Sequence, residues 1–289
     1  MARYQQLGII GDFSITAKKI DFSGKEKVKK TAPAKEKITV LRNENKADIT
    51  PEVIPAEIKE REQKIRSINQ FYSAQSVTLD GKTLNTDVRQ IFNSDWNKGG
   101  RLYGSKNSYQ AVKAADRGRI KINGSMTSEL DYSSIHINLL YAYACKQAPE
   151  DCYGFFPLRK LAKKALLIAL NAKSIDSAAK VLSNEWTTKN PDRPLTIEQA
   201  KEVIEDAIDA HAPIKQYICS GVGTGLQRID SELAIEVVEQ CKQQGIVALP
   251  IHDSFIVADV NKRKLQKIMT AVYAKYTGGF SCPVAEKAS

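Results

Sequence analysis

Apolar positions along the chain change period several times, and each change marks an element. In residues 56–72 (AEIKEREQKIRSINQFY), Ile58, Ile65, Ile68 and Phe71 recur at helical spacing behind Pro51 and Pro55, which predicts a helix opening the folded part. From Val77 (VTLDGKTL) alternation replaces that period, with Asp80-Gly81 in the middle as a two-residue hairpin turn. Residues 94–104 (SDWNKGGRLYG) are glycine-rich, and adjacent Gly99 and Gly100 would let the backbone approach a ligand closely. A strand-like run, residues 127–132, precedes three helical segments at 133–145, 157–182 and 230–244. Asp230 and Ser231 are expected to cap the last of these, and Gly245 to end it. Two apolar runs, 246–251 and 255–257, then flank His252-Asp253-Ser254, the pattern of a hairpin whose turn displays Asp253. No internal repeat supports a solenoid.

Composition narrows the class. With 43 Lys+Arg against 33 Asp+Glu, the 289-residue chain carries +10 and favours a polyanionic partner. At 42% hydrophobic residues it can bury a sizeable core, as one large domain or two small ones. No apolar run approaches the ~18 to 20 residues of a membrane span, and the start lacks a signal pattern, so a soluble, cytoplasmic protein is expected. Five Cys form no CxxC pair and three His show no HExxH or finger spacing, which argues against disulfide scaffolds and zinc modules. Residues 24–37 (GKEKVKKTAPAKEK) hold six Lys and read as a linker or mobile basic arm, with a functionless solvated tether as the plainer reading. The expected division is therefore an arm over 1–50 and a folded domain over 51–289. Within the latter the densest basic patch is Lys98, Arg101, Lys106, Lys113, Arg117, Arg119 and Lys121.

Three segments carry candidate chemistry. Asp131 closes a strand-like run and Asp253 sits at a hairpin tip, both at element ends where chemistry is commonly displayed. Two carboxylates brought together can hold paired Mg²⁺ ions that activate a 3′-hydroxyl and stabilise a pyrophosphate leaving group. They lie 122 positions apart, so the fold must unite them; singly, each reads as a cap or turn residue. Between them, Arg159, Lys163, Leu167 and Asn171 follow one another by four along a helical stripe. Two cations on one face can grip a triphosphate and neutralise charge during phosphoryl transfer, whereas a solvated basic face is the bland alternative.

Taken in order, SDWNKGGRLYG, ELDYSSIH, RKLAKKALLIALNA and LPIHDSF resemble segments of phage-type single-subunit RNA polymerases and the related family A DNA polymerases. The first looks like the RNA polymerases' DxxGR element with one extra residue. The others look like motifs A, B and C. The resemblance implies an α+β, right-hand-like fold: a palm with a small antiparallel sheet, helical fingers and a reduced thumb, covered on one side by helices. It implies two Mg²⁺ ions on Asp131, Asp253 and the Tyr132 carbonyl. Arg159 and Lys163 would hold the incoming nucleotide's phosphates, and Lys163 would also protonate pyrophosphate. Arg101 would touch the template or nascent hybrid, His252 the primer terminus, and Gln227 the minor groove. His136 stands where the DNA polymerases place a glutamate that excludes the 2′-hydroxyl, and Asn171 where motif B usually has an aromatic ring. Sugar choice is thereby open, with His136 packed into a polar core as the structural alternative.

The expected activity is template-directed nucleotidyl transfer, leaning to RNA or primer synthesis, with nucleic acid and nucleoside triphosphates as partners and no membrane. Once the arm is set aside, about 240 residues remain, which suggests no proofreading exonuclease or large promoter-reading domain. Weak processivity or a helper protein is expected in consequence. Alternatives are a small family A-like DNA polymerase, a degenerate palm that only binds nucleic acid, and a two-carboxylate nuclease.

Overall fold

The computed structural model describes residues 37–287; residues 1–36 of the arm expected over 1–50 lie outside them. Two sheets organise the α+β chain. The smaller has the order β2 (Asp48–Ile49), β1 (Thr39–Arg42), β5 (Val88–Asn93), β6 (Asp95–Gly104), with β1 parallel to β5 and the other pairs antiparallel. The larger is wholly antiparallel, in the order β4 (Lys82–Thr83), β3 (Val77–Leu79), β7 (Ile120–Ile122), β8 (Ser125–Tyr132), β10 (Ser254–Ala258), β9 (Ala248–Ile251), with β11 (Val284–Glu286) also on β8. No helix among the described residues is long and apolar enough to cross a membrane.

Local chemistry explains several elements. Asp80 and Gly81 both take positive φ (50° and 79°), as a two-residue hairpin turn requires. Helix α1 (Ala56–Ser73) buries Ile58, Ile65 and Ile68 as its period predicts, with Tyr72 in place of the expected Phe71, which is only partly buried. Gly99 and Gly100 behave differently from the expectation, because what approaches them is the neighbouring strand. A Cβ at Gly100 would lie 2.7 Å from the Phe92 ring and one at Gly99 2.5 Å from the Asn93 amide, where the β5–β6 register shifts.

Three boundaries differ from the sequence reading. The folded part begins before residue 50, since β1 pairs with β5 along Thr39–Arg42. The segment 157–182 is two helices, α3 (Arg159–Asn171) and α4 (Ile175–Lys189), because Ser174 and Ser177 form a reciprocal capping box that starts the second. The helix expected from Asp230 begins earlier. After α5 (Ile197–Ala210), α6 spans Gly223–Gln243, so Asp230 and Ser231 lie mid-helix and buried rather than at a cap. Helix α6 is the central one, packing against β6, β9, α1, α2 (Ile135–Tyr143), α3 and α7 (Lys262–Thr277).

Candidate active site

Strands β8 and β10 carry the two candidate carboxylates to one end of the larger sheet. Asp131 lies opposite Ser254 in the antiparallel register, and the β9–β10 turn consists of His252 (φ 58°) and Asp253. The Tyr132 N–H donates to the Asp253 carbonyl at 3.2 Å, a main-chain bond joining residues that sequence separates widely. The Tyr132 side chain turns into the core, its hydroxyl donating to the Met269 carbonyl at 2.6 Å. Only its main chain is thereby left for the site.

Burial and the neighbouring charge of Asp253 push the Asp131 carboxyl up to about 6, against the opposing pull of Lys287 and Lys163. The Lys287 ammonium lies 3.2 Å from Asp131 Oδ1 and 3.0 Å from Glu129 Oε1. Glu129 is pinned further by Arg117 at 3.1 Å and by the Ser254 hydroxyl at 2.6 Å. Burial would raise the Glu129 carboxyl, but the Ser254 hydrogen bond and the Lys287 charge hold it below its usual range. On the turn, His252 stacks edge-on against Tyr103 (centroids 5.5 Å apart), while its Nδ1 is buried without a hydrogen bond. Burial and the Arg101 cation depress the His252 imidazole.

Helix α3 supplies the cationic stripe. Leu161, Ala162, Ala165, Leu166, Ala169 and Leu170 are buried, which leaves Arg159, Lys163 and Leu167 on the opposite face. The Arg159 guanidinium lies 5.1 Å from the Tyr153 ring centroid and the Lys163 ammonium 5.8 Å from the same centroid. Burial raises the Tyr153 phenol. Arg159 is exposed and paired with Asp151 at 3.1 Å. Asn171 is not brought to the carboxylates by any contact. Two turns past Lys163, its amide donates to the Leu167 carbonyl at 2.7 Å, and a Cβ on Gly223 would lie 2.1 Å from its Oδ1.

A second cluster abuts the turn. Arg101 Nε lies 3.1 Å from both oxygens of Asp230, its Nη2 also donates to Oδ2, and His136 Nε2 lies 2.8 Å from Oδ2. Asp230 is 1% exposed, and although burial opposes it, the His136 and Arg101 hydrogen bonds hold its carboxyl below the ordinary range. Arg101 was expected at the nucleic acid; the structure invests its guanidinium in Asp230. His136 takes the polar-core position weighed from sequence, its Nε2 lying between Asp230 Oδ2 and the Arg101 guanidinium. Gln227 is half-buried three residues before Asp230, on the same side of α6. The basic patch is partly neutralised, since Lys98, Arg101, Arg117 and Arg119 all pair with carboxylates.

Sequence reasoning missed Asp230, Glu129, Tyr153 and Lys287. The donor set of Asp131, Asp253 and the Tyr132 carbonyl is all hard oxygen, and Asp131 Oδ1 is buried without a hydrogen-bond donor in acceptable geometry, facing only the Lys287 ammonium. Those residues fit a hard divalent cation such as Mg²⁺. Among the described residues no group of three or more His, Cys, Asp or Glu forms a metal cage, so the fit rests on the two carboxylates and a main-chain oxygen.

No protein-family model matches the chain, and no curated protein matches it. Among solved structures, the chain is similar to the POL domain of Pol1 from M. smegmatis in complex with DNA primer-template and dNTP. Identity is 13% and the TM-score 0.44, over 80% of this chain and 50% of that one. The chain thus spans about half the length of that structure.

Proposed function

We propose that this protein is a metal-dependent nucleotidyltransferase that extends a nucleic-acid strand on a template, making RNA or primers. In this reading the larger sheet is a palm, with helical fingers that include α3 and a reduced thumb. The observation that carries the reading is the β8–β10 pairing, which unites Asp131 and Asp253, beside a helix whose Arg159 and Lys163 share the Tyr153 ring.

Asp131, Asp253 and the Tyr132 carbonyl would hold two Mg²⁺ ions. These supply activation of the 3′-hydroxyl and charge neutralisation at the leaving pyrophosphate. Arg159 and Lys163, one helical turn apart, bind the nucleotide's polyphosphate, and Lys163 Nζ is a proton donor to the departing pyrophosphate oxygen. Asp230 and Arg101 hold the His136 ring through Nε2, and this leaves Nδ1 as the atom able to read a ribose hydroxyl. His252 borders the primer terminus, and Gln227 lies on the side of α6 that faces the Asp230 cluster. Asn171, its amide donating to the Leu167 carbonyl, stands where an aromatic ring would lie near the incoming nucleotide and offers a polar contact there instead.

A labelled primer–template incubated with Mg²⁺ and either NTPs or dNTPs tests the proposal. Extension by NTPs supports it, and extension by dNTPs alone makes the protein a small DNA polymerase. Shortening indicates a nuclease. A gel shift without extension indicates a nucleic-acid-binding accessory protein.

A further inference from the structure

The C-terminal strand brings a cation onto the candidate catalytic carboxylate. β11 pairs with β8 through Val284↔Tyr132, Ala285↔Asp131 and Glu286↔Leu130, and the Lys287 N–H then donates to the Glu129 carbonyl at 2.9 Å. The backbone at Lys287 is therefore held by main-chain bonds that do not involve its side chain. That side chain nevertheless reaches back between Glu129 (3.0 Å) and Asp131 Oδ1 (3.2 Å). Glu129 already has a cationic partner in Arg117 and a donor in the Ser254 hydroxyl, so its charge is answered without Lys287. Asp131 is different. Its Oδ1 is buried, and among the described residues the only cation paired with it is this ammonium.

We propose that Lys287 is a further residue of the site, a positioning residue that holds Asp131 and, by charge competition at that carboxylate, makes divalent-cation binding depend on the arrival of the polyphosphate. This rests on the proposed function and adds an order of binding to it. With its ammonium 3.2 Å from Asp131 Oδ1, Lys287 offsets part of the negative charge that the two carboxylates would present to a free divalent ion. A nucleoside triphosphate brings three to four negative charges of its own, engages Lys163, and restores that attraction. The cation then enters with the nucleotide rather than ahead of it. Lys287 thus sets cation affinity without being required to touch substrate.

Mn²⁺ binding to the full chain, measured by electron paramagnetic resonance with and without a non-hydrolysable nucleoside triphosphate, tests this. Wild type should bind Mn²⁺ alone weakly, and more than tenfold tighter with the analogue present. Lys287→Ala should bind Mn²⁺ alone roughly tenfold tighter than wild type, since Coulomb's law for a single and a double charge about 6 Å apart gives that factor even at water's dielectric constant. Lys287→Arg, keeping the charge, should stay near wild type. Loss of a purely structural clamp would weaken binding instead, so an unchanged or weaker affinity in Lys287→Ala overturns the inference. The Asp131→Asn/Asp253→Asn double variant separates the two layers. If it leaves Mn²⁺ affinity unchanged, the proposed site itself fails; if it weakens binding while Lys287→Ala has no effect, only the role of Lys287 fails.

Discussion

Replacing Asp131 by Asn should stabilise the metal-free protein while disabling it. Asp131 sits in a half-buried position beside Asp253, and its carboxyl is pushed from 3.8 to about 6 by burial first and by Asp253 second. A folded-state value above the unfolded one means that the ionised form opposes folding. The penalty is complete above roughly pH 7, shrinks as pH falls through 6, and is gone near the unfolded value of about 4. At ~1.4 kcal/mol per pH unit the shift corresponds to about 3 kcal/mol. The side chain is 27% exposed, so solvent screening reduces this to about 1–2 kcal/mol. Asn keeps the shape without the charge, and Lys287 keeps Glu129 as a partner. Thermal unfolding without divalent ions should therefore show Tm about 3–6 °C higher for Asp131→Asn than for wild type at pH 8, a gain that shrinks to about a third by pH 4.5 and vanishes below the unfolded value of about 4. A lower Tm at pH 8, or a gain independent of pH, would refute the reasoning.

Other consequences follow from the same geometry. Lys163→Ala should lower kcat and raise the nucleotide KM together, cutting kcat/KM by roughly a hundredfold or more in steady-state extension, because one ammonium binds phosphate and gives up the proton. Unchanged kinetics with altered stability would make the α3 stripe a solvated face. Asp230→Ala leaves the Arg101 cation half-buried and unpaired and should cost about 3–5 kcal/mol in denaturant unfolding. His136→Ala should lower the ratio of kcat/KM for an NTP over its dNTP, since the atom reading the hydroxyl is lost; a ratio unaffected by the change would remove His136 from sugar selection.

Period and turn chemistry made much of this frame legible. The α1 stripe, the Asp80-Gly81 turn and the hairpin that displays Asp253 could be read because each depends on residues a few positions apart. The strand ending in Asp131 and the cationic stripe of α3 were legible for the same reason. What could not be read depends on distant partners. Asp230 in sequence resembles a helix cap, and only Arg101, 129 residues away, explains a carboxylate buried mid-helix. The helix expected from Asp230 in fact starts at Gly223, where a side chain would collide with the Asn171 amide. The β1 strand is short and set in a charged segment that hides its alternation. The break between α3 and α4 rests on a Ser–Ser capping box, a weaker signal than one with glutamate. Lys287 gives no local sign at all, because Glu129 lies 158 residues from it.

One primer-extension experiment decides whether Asp131 and Asp253 together direct nucleotide addition. Wild type, Asp131→Asn and Asp253→Asn would be compared on one labelled primer–template with Mg²⁺ and NTPs, and affinity for the duplex measured in parallel by fluorescence anisotropy. The account predicts extension by wild type, none by either variant, and nearly equal affinities for all three, since each change removes one carboxylate and none of the basic surface. Extension by either variant near the wild-type rate, or no nucleotide addition by wild type, would contradict it.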